Sequence, residues 1–314
     1  MKQAYPKANM EIPQGKSRFR TAVFHKKAAR IGIKTAPYLY LAPCLALVAL
    51  FVYFPLLNTI SLSLTRTNAM GEPVRFVGLK NYIDVICSTE FLNSCFVTLK
   101  FVVLTAVPAF ILGLVLALLT EKRGRGNSLF ELLFSMPVVI SSSSGAMIWM
   151  LMLNPSTGFI SFLLNQKVNY FQDERLAIFA LAALTVWLSV GINYIFFLTA
   201  LRNVPGSISE AACLDGAGFF CRLFQITLPM ISPTLFFVAV MDVAAFAQTF
   251  TQIAILTHGG PAQATNTLVY SIYNDAFIND RYDIASVQSI LLFLIMLAAI
   301  LLQFRMEKKV VYDS

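Results

Sequence analysis

Apolar residues fill long stretches of this chain, and polar residues gather in the segments between them. A helix that crosses a hydrocarbon core about 30 Å thick needs about 20 predominantly apolar residues. Six stretches meet that length, and they lie at residues 37–64, 94–120, 127–153, 176–200, 230–256 and 284–304. None alternates between apolar and polar residues as the strands of a membrane barrel do. The pattern predicts an all-α integral membrane protein with six transmembrane helices.

The composition excludes several other classes of protein. Of 314 residues, 57% are hydrophobic and 13% are charged, whereas about 25% of the residues in a soluble domain are charged. Charge this scarce cannot cover the surface of a soluble enzyme, and the chain is too apolar to be disordered. The first apolar stretch follows 36 residues of basic sequence and is too long for a signal peptide, so we expect it to be retained.

Basic residues are divided unevenly between the two sides of the predicted membrane. Seventeen of the 24 Lys and Arg residues precede the first span, follow spans two and four, or lie in the C-terminal tail, and seven lie on the other side. Cytoplasmic segments carry the excess of basic residues, so both termini are predicted to be cytoplasmic. The net charge of +8 then faces membrane lipid, and we expect no nucleic-acid partner.

These boundaries predict three parts of the chain. Residues 1–36 form a basic cytoplasmic tail, residues 37–305 form the six-span domain, and residues 306–314 form a cytoplasmic C-terminal tail. Within the first tail, residues 17–36 mix apolar and basic side chains, which is typical of a helix lying on a membrane surface. A solvated basic tail fits the same residues equally well.

The chain lacks the motifs of enzymes and of metal sites. Its two histidines, His25 and His258, lie at opposite aqueous sides, and it has no H-E-x-x-H, G-x-S-x-G, C-x-x-C or P-loop motif. We therefore expect no catalytic residue, no metal and no cofactor. Five cysteines are an odd number, which argues against a disulfide framework. Cys87 and Cys95 share an outer loop and are able to pair, but free thiols are favoured.

The longest inner loop, residues 201–229, joins spans four and five and has the marks of a short helix. Ser207 and Glu210 stand three residues apart, as a capping box requires. Ala211 and Ala212 follow, and their small side chains let another protein approach closely.

The end of this predicted helix, which covers residues 207–218, is marked as clearly as its start. Gly216 and Gly218 offer the left-handed conformation that ends a helix. Pro229 is suited to begin the next span because the first turn of a helix needs no donor there. A helix that merely connects two spans is the alternative interpretation.

This loop resembles the signature of permease subunits of binding-protein-dependent ABC importers. The signature reads Glu-Ala-Ala, three residues, Gly, nine residues, then Ile-x-Leu-Pro. Its seven specified positions are all filled here, by Glu210, Ala211, Ala212, Gly216, Ile226, Leu228 and Pro229. Gly259-Gly260-Pro261 and the residues after it are similar to the carbohydrate-uptake branch, notably to the first permease subunit of sugar and glycerol-3-phosphate importers. The resemblance covers roughly residues 35–310.

The resemblance implies an ABC type I importer permease fold in the plasma membrane of a bacterium or archaeon. It also implies that the predicted helix 207–218 docks into a cleft on an ATPase subunit. The implied partners are two ATP-binding ATPase subunits, a second permease in a heterodimer and an extracytoplasmic solute-binding protein. ATP hydrolysis then takes place on separate subunits, so this chain is expected not to be an enzyme.

One ionisable residue, Asp242, lies in the middle of span five, and such residues usually mark a pathway. Asp242, Ala245, Phe246 and Thr249 share one helical face. A carboxylate beside an aromatic plane suits a sugar, whose hydroxyls donate hydrogen bonds and whose C–H face stacks on a ring. A bond from Asp242 to a neighbouring helix is the alternative.

Similarity to the larger maltose permease subunit places its pocket on the same four residues of span five. It adds four pocket positions from span four, namely Thr185, Leu188, Ser189 and Ile192. A carboxylate in the pocket favours a neutral sugar or polyol over an anion, with glycerol-3-phosphate as the alternative solute. A proton-coupled carrier with Asp242 as its proton site is the rival from another class, and the lack of an evident inverted repeat weakens it.

Two further groups of residues carry weaker expectations. Small residues at 141–146 of span three and at Gly191 of span four favour close helix packing over a pathway lining. Acidic and tyrosine residues of the outer loops are candidate contacts for the binding protein, or else ordinary interfacial aromatics and solvated charges. These are Tyr82, Tyr270, Tyr273, Asp275, Asp280 and Asp283.

Overall fold

The structure is a computed structural model that describes residues 40–122, 124, 126–165 and 167–310. The chain divides into two units, residues 1–58 and residues 59–314. Helix α1, Tyr40–Ser63, contains a π turn at Ala49–Tyr53, and its residues 40–58 are the described part of the first unit. The surface helix predicted at 17–36 lies outside the described residues.

The second unit is a set of helices preceded by one small hairpin. The hairpin pairs β1, Thr65–Thr67, with β2, Pro73–Phe76, in antiparallel register. The helices are α2 Lys80–Ile86, α3 Thr89–Thr120, α4 Asn127–Ser135, α5 Ser142–Met152, α6 Phe159–Leu164, α7 Leu176–Asn203, α8 Gly206–Leu214, α9 Phe219–Met230, α10 Ser232–Ala247, α11 Thr251–Leu256, α12 Leu268–Phe277 and α13 Tyr282–Val310.

Within the described residues, five helical segments are long and apolar enough to cross a membrane. These are α1, α3, α7, the pair α10 and α11, and α13. A sixth span exists where α4, extended by a 3₁₀ turn to Val139, and α5 are taken together. The prediction of six transmembrane helices is confirmed on that basis.

The prediction of one continuous helix at 127–153 is wrong, because α4 and α5 meet at an angle of 102°. Pro137 lies in the 3₁₀ turn that ends the first segment, and Ile140 after it is extended, with ψ 125°. Ser141 then caps α5, since its side chain accepts a hydrogen bond from the Ser144 amide at 3.2 Å. Proline and a fresh N-cap therefore replace a continuous helix with a sharp bend.

Helices α3 and α7 form the centre of the second unit. The side chains of Phe101 and Leu184 are fully buried in one apolar cluster that also includes Ile253 of α11. A second cluster, nearer the C-terminal end of α7, contains Tyr194, Phe197, Leu198, Leu201, Ile231 and Val238. The two clusters fix the N-terminal and C-terminal halves of α7 against its neighbours.

Small residues allow α7 to approach the bent span closely. A Cβ atom on Gly191 would lie 2.9 Å from the carbonyl oxygen of Phe134, and one on Gly145 would lie 2.9 Å from Leu188 Cδ2. Real Cβ atoms do not approach this closely in a close-packed interior. The interpretation that these residues serve helix packing is confirmed at both positions.

The cysteines are free thiols. Cys87 is exposed and Cys95 is half-buried, and neither forms a disulfide. The favoured expectation of free thiols is confirmed, and the alternative of a Cys87–Cys95 bond is wrong for this structure.

Candidate functional site

Helix α8, which carries Glu210, begins one residue before the predicted capping position. Pro205 is its N-cap residue, with φ −60° and ψ 123°, and no side chain caps the first turn. The predicted capping box of Ser207 and Glu210 is therefore wrong, because the helix starts at Gly206 and Ser207 already lies within its first turn. The helix also ends at Leu214, four residues earlier than predicted.

The end of α8 is a Schellman turn centred on Gly216. Gly216 has φ +82°, the Ala217 amide donates to the Ala212 carbonyl at 2.9 Å, and the Gly216 amide donates to the Cys213 carbonyl at 3.1 Å. This pair of bonds satisfies carbonyls that the helix end would otherwise leave without partners. The prediction for Gly216 is confirmed. The one for Gly218 is wrong, since its φ of −68° and ψ of 170° are extended.

Helix α8 has no buried residue. Glu210 and Ala211 are exposed, and Ala212 is half-buried. Large apolar side chains beside them are exposed as well, and these are Leu214, Phe219, Phe220 and Phe224. An apolar patch next to a carboxylate in a loop marks a contact surface for another macromolecule or for a membrane.

The second half of the signature lies in α9 and holds the loop to the spans. Ile226 belongs to a π turn at Leu223–Thr227, and Leu228 packs against the cluster that contains Tyr194. The prediction that Pro229 begins span five is wrong. It precedes a break at Ile231, and Pro233 occupies the first turn of α10 instead.

Arg202, at the end of α7, joins this loop to the preceding spans. Its guanidinium lies 2.5 Å from Glu131 of α4 and contacts the carbonyl oxygens of Thr120 and Glu121 at the end of α3. In the sequence, Arg202 is one of the seventeen basic residues on the predicted cytoplasmic side, and no pattern pairs it with Glu131. A single Arg at the end of one span and a single Glu at the start of another were the available signal.

Asp242 of α10 is buried and bonded to a neighbouring helix. Asn193 of α7 donates a hydrogen bond from Nδ2 to Asp242 Oδ2 at 2.7 Å. Asn193 itself is 2% exposed and Asp242 is 5% exposed. The structure therefore provides the partner that the alternative interpretation of Asp242 requires, and a substrate contact by Asp242 stays a prediction.

The eight predicted pathway residues differ in exposure. Ile192 and Ala245 are exposed, and Leu188 and Ser189 are half-buried. The buried ones are Asp242, Phe246, Thr249 and Thr185. Phe246 packs against the apolar cluster of α3 and α7. Only half of the predicted set is thus accessible at the surface of this subunit.

A polar cluster lies at the other end of the unit, near the start of α3. Asp275 accepts hydrogen bonds from Arg281, from Asn279 at 3.0 Å and from Gln288 at 2.8 Å. The bond to Asp275 raises the pKa of the Arg281 guanidinium above its usual value. Asp275 is 4% exposed, and its bonds with Arg281 compensate for the burial of its charge.

The other outer-loop candidates also differ in exposure. Asp283 and Tyr270 are buried, and Tyr82 is bonded to Ser63 at 2.9 Å. The expectation of residues available for contact is wrong for Asp275, Asp283 and Tyr270. It stays a prediction for exposed Asp280 and for Tyr82 and Tyr273.

Known proteins resemble this chain over most of its length. The family described as "Binding-protein-dependent transport system inner membrane component" matches residues 96–311. The chain belongs to this family. It is accordingly a multi-pass inner-membrane permease and a transport component rather than a catalytic enzyme, as the signature at 210–229 indicated.

Two relatives of the permease share one name. The sn-glycerol-3-phosphate transport system permease protein UgpA of Agrobacterium fabrum (strain C58 / ATCC 33970) is 36% identical over 284 residues, which cover 89% of this chain and 97% of that protein. The protein of the same name from Escherichia coli O157:H7 is 34% identical over 282 residues, covering 88% and 96%.

Solved structures show the same fold. A chain of a bacterial alginate ABC transporter, in complex with an alginate pentasaccharide-bound periplasmic protein, is similar to the permease with a TM-score of 0.79 and 21% identity. The similarity covers 91% of this chain and 98% of that one. A chain of the MetNI methionine ABC transporter is similar with a TM-score of 0.54 and 16% identity over 74% of this chain and 99% of that one. The predicted ABC importer permease fold is confirmed.

Proposed function

We propose that this permease is one of two transmembrane subunits of an ATP-driven importer. It moves a sugar, a polyol or an oligosaccharide from an extracytoplasmic solute-binding protein into the cytoplasm, and both of its termini are cytoplasmic. The observation that carries the proposal is the exposed helix α8, with Glu210 on its surface and apolar side chains around it. A helix with no buried residue in an apolar protein is suited to bind a partner.

Two ATPase subunits are the proposed partners of α8 and of its equivalent in the second permease. The seven signature residues couple the permease to the ATPases, and Glu210 and Ala211 offer exposed side chains for docking. Gly216 shapes the turn that follows, and Ile226, Leu228 and Pro229 fix the return of the loop to the spans. ATP hydrolysis takes place on those subunits, and a heterodimer of two similar permeases encloses the pathway.

The proposed mechanism is alternating access. ATP binding closes the ATPase pair, α8 carries that movement into the spans, and the pathway then opens toward the loaded binding protein. The permease contributes two conformations, and the ATPases and the binding protein each stabilise one of them more than the other. No bond of the solute is broken at any step on this chain.

The pathway is proposed to follow the face formed by the eight predicted residues. Ile192, Leu188, Ser189 and Ala245 are its accessible members. The remaining four, Asp242, Phe246, Thr249 and Thr185, are buried and shape that face from behind in this conformation.

Glycerol-3-phosphate is the second candidate solute. It is favoured by the name of relatives that are 36% identical over 97% of their length. Repulsion of an anion by Asp242 is a weaker objection than the sequence suggested, because the carboxylate is buried against Asn193. Titrating the cognate binding protein with sugars, polyols and glycerol-3-phosphate distinguishes the two classes of solute.

Co-purification tests the proposed assembly. An affinity-tagged permease expressed with its neighbours and extracted in mild detergent is expected to retain an ATPase and a second permease. Glu210→Lys is expected to lose the ATPase and keep the second permease, because it reverses a charge on the surface of α8 only. Isolation of the wild-type permease without any ATPase would contradict the proposal.

A further inference from the structure

We propose that Arg202 is a positioning residue that couples movement of α8 to the spans. This inference rests on the proposed function. Arg202 fixes the start of the loop at 201–229 to the end of α3 and to α4, so that α3, α4 and α7 move together when an ATPase displaces α8.

The first contact of Arg202 is an ion pair with Glu131 of α4. Its Nη2 atom lies 2.5 Å from Glu131 Oε1, and its Nη1 atom lies 3.4 Å from Oε2. Both carboxylate oxygens are engaged, which is the two-point geometry that makes such pairs strong and directional. The two residues are 71 positions apart in the chain, so the pair joins span four directly to the start of the bent span.

The second contact of Arg202 is with the C-terminal end of α3. Nη2 donates to the Thr120 carbonyl at 3.3 Å, and Nε donates to the Glu121 carbonyl at 3.4 Å. The last carbonyls of a helix lack partners within it and carry a partial negative charge, so a cation there satisfies both needs. Tyr194 adds a bond from α7 to Thr120 Oγ1 at 2.9 Å.

An arginine is required for this combination of contacts. Its planar fork has donors enough to bind one carboxylate and two carbonyls at once, whereas a lysine ammonium is a compact charge with three donors. The side chains of Arg202 and Glu131 are 26% and 33% exposed. Partial burial makes the pair less screened by salt than an exposed one.

Arg202 lies shortly before α8 in the chain, and α8 is the predicted ATPase contact. Three residues separate it from Gly206, where α8 begins, and Pro205 among them restricts the connecting backbone. On the other side of α8, Arg222 of α9 reaches Ser209 at 3.4 Å, and Leu228 packs on the cluster of α7. Movement of α8 therefore reaches the spans through two connections, the polar contacts of Arg202 and the apolar packing of Leu228.

The experiment uses the whole importer reconstituted with its ATPases and binding protein. The variants are Arg202→Gln, Arg202→Lys and Glu131→Gln, and Arg175→Gln at the exposed start of α7 is the matched control. The readout is ATP hydrolysed per solute imported, measured beside the ATPase content of each preparation. Arg202→Gln and Glu131→Gln are expected to retain the ATPases and to raise this ratio about fivefold or more, the lower range for coupling between sites.

Further outcomes separate a positioning role from a purely structural one. Arg202→Lys is expected to give an intermediate ratio, and the double variant is expected to be no worse than either single variant, because the two residues act as one unit. A normal ratio in Arg202→Gln, or failure of both Gln variants to assemble, would overturn the inference. Absence of ATPase from the wild-type preparation would instead overturn the proposed function.

Discussion

One glycine determines how α8 ends. At φ +82° Gly216 has a backbone conformation that costs other residues about 1–2 kcal/mol, and β-branched residues avoid it most. A Cβ atom there would meet nothing within 4 Å, so the requirement is conformational and not steric. The turn directs the chain from α8 into α9, and its geometry therefore sets where Glu210 is presented.

We expect Gly216→Val to reduce ATP-driven uptake and to weaken retention of the ATPase. The substitution strains the Schellman turn and shifts α8, while the permease remains inserted in the membrane. Gly206→Ala is the control, because Gly206 lies in the same helix, is equally open and has an ordinary φ. Equal uptake by the two variants would show that the turn at Gly216 does not position the contact.

A second test at a single residue concerns Asp242. Asp242→Asn keeps an oxygen that accepts the bond from Asn193, so we expect unchanged folding, and its solute preference in an uptake assay tests the substrate contact alone. Asp242→Ala leaves buried Asn193 without that partner and is expected to cost about 1–3 kcal/mol of stability. Altered solute preference in Asp242→Asn would place the carboxylate on the pathway itself.

The sequence predicts single residues where their role is local. Gly216 follows from a motif, and its backbone conformation depends on neighbours within five positions. Arg202 depends on Glu131, 71 positions away, and Asp242 depends on Asn193, 49 positions away. Contacts at such distances are set by the packing of α3, α7 and α10, which no local pattern specifies.

At the scale of helices, hydrophobicity predicts which segments cross the membrane but not where they bend. The apolar stretch at 127–153 is continuous in composition, yet Pro137 and the cap at Ser141 divide it into two helices at 102°. The apolar content of a segment determines how favourably it transfers into lipid. A bend depends instead on where the backbone hydrogen bonds of the helix are interrupted. Span two was likewise predicted too short, since the Ser88 cap starts α3 at Thr89.

The close contact between α7 and the bent span gives a prediction about stability. Gly191→Ala places a Cβ atom 2.9 Å from a backbone oxygen of Phe134, which cannot move without shifting α4. We expect a loss of about 1–3 kcal/mol, typical of overpacking, seen as a lower unfolding temperature in detergent. Ala183→Val, on the exposed face of α7, is the control, and equal melting of the two variants would refute the tight contact.

At the scale of the whole molecule, the signature residues and the outer polar residues lie in two separate regions. A signature loop lies where α7 ends, and a polar cluster around buried Asp275 lies near the start of α3. Composition predicted the membrane class, and the signature predicted the family. In the proposed assembly two permeases enclose the pathway together, so the sequence of one subunit specifies the location of the pathway better than the identity of the solute.

Solute uptake into proteoliposomes is the most direct test of ATP-driven import. The vesicles contain both permeases and the ATPases, ATP is enclosed, and the loaded binding protein is added outside. We expect uptake that requires enclosed ATP, stops with a non-hydrolysable analogue and is indifferent to a protonophore. Uptake by the permease without the ATPases that collapses with the proton gradient would contradict this and would instead indicate a proton-coupled carrier.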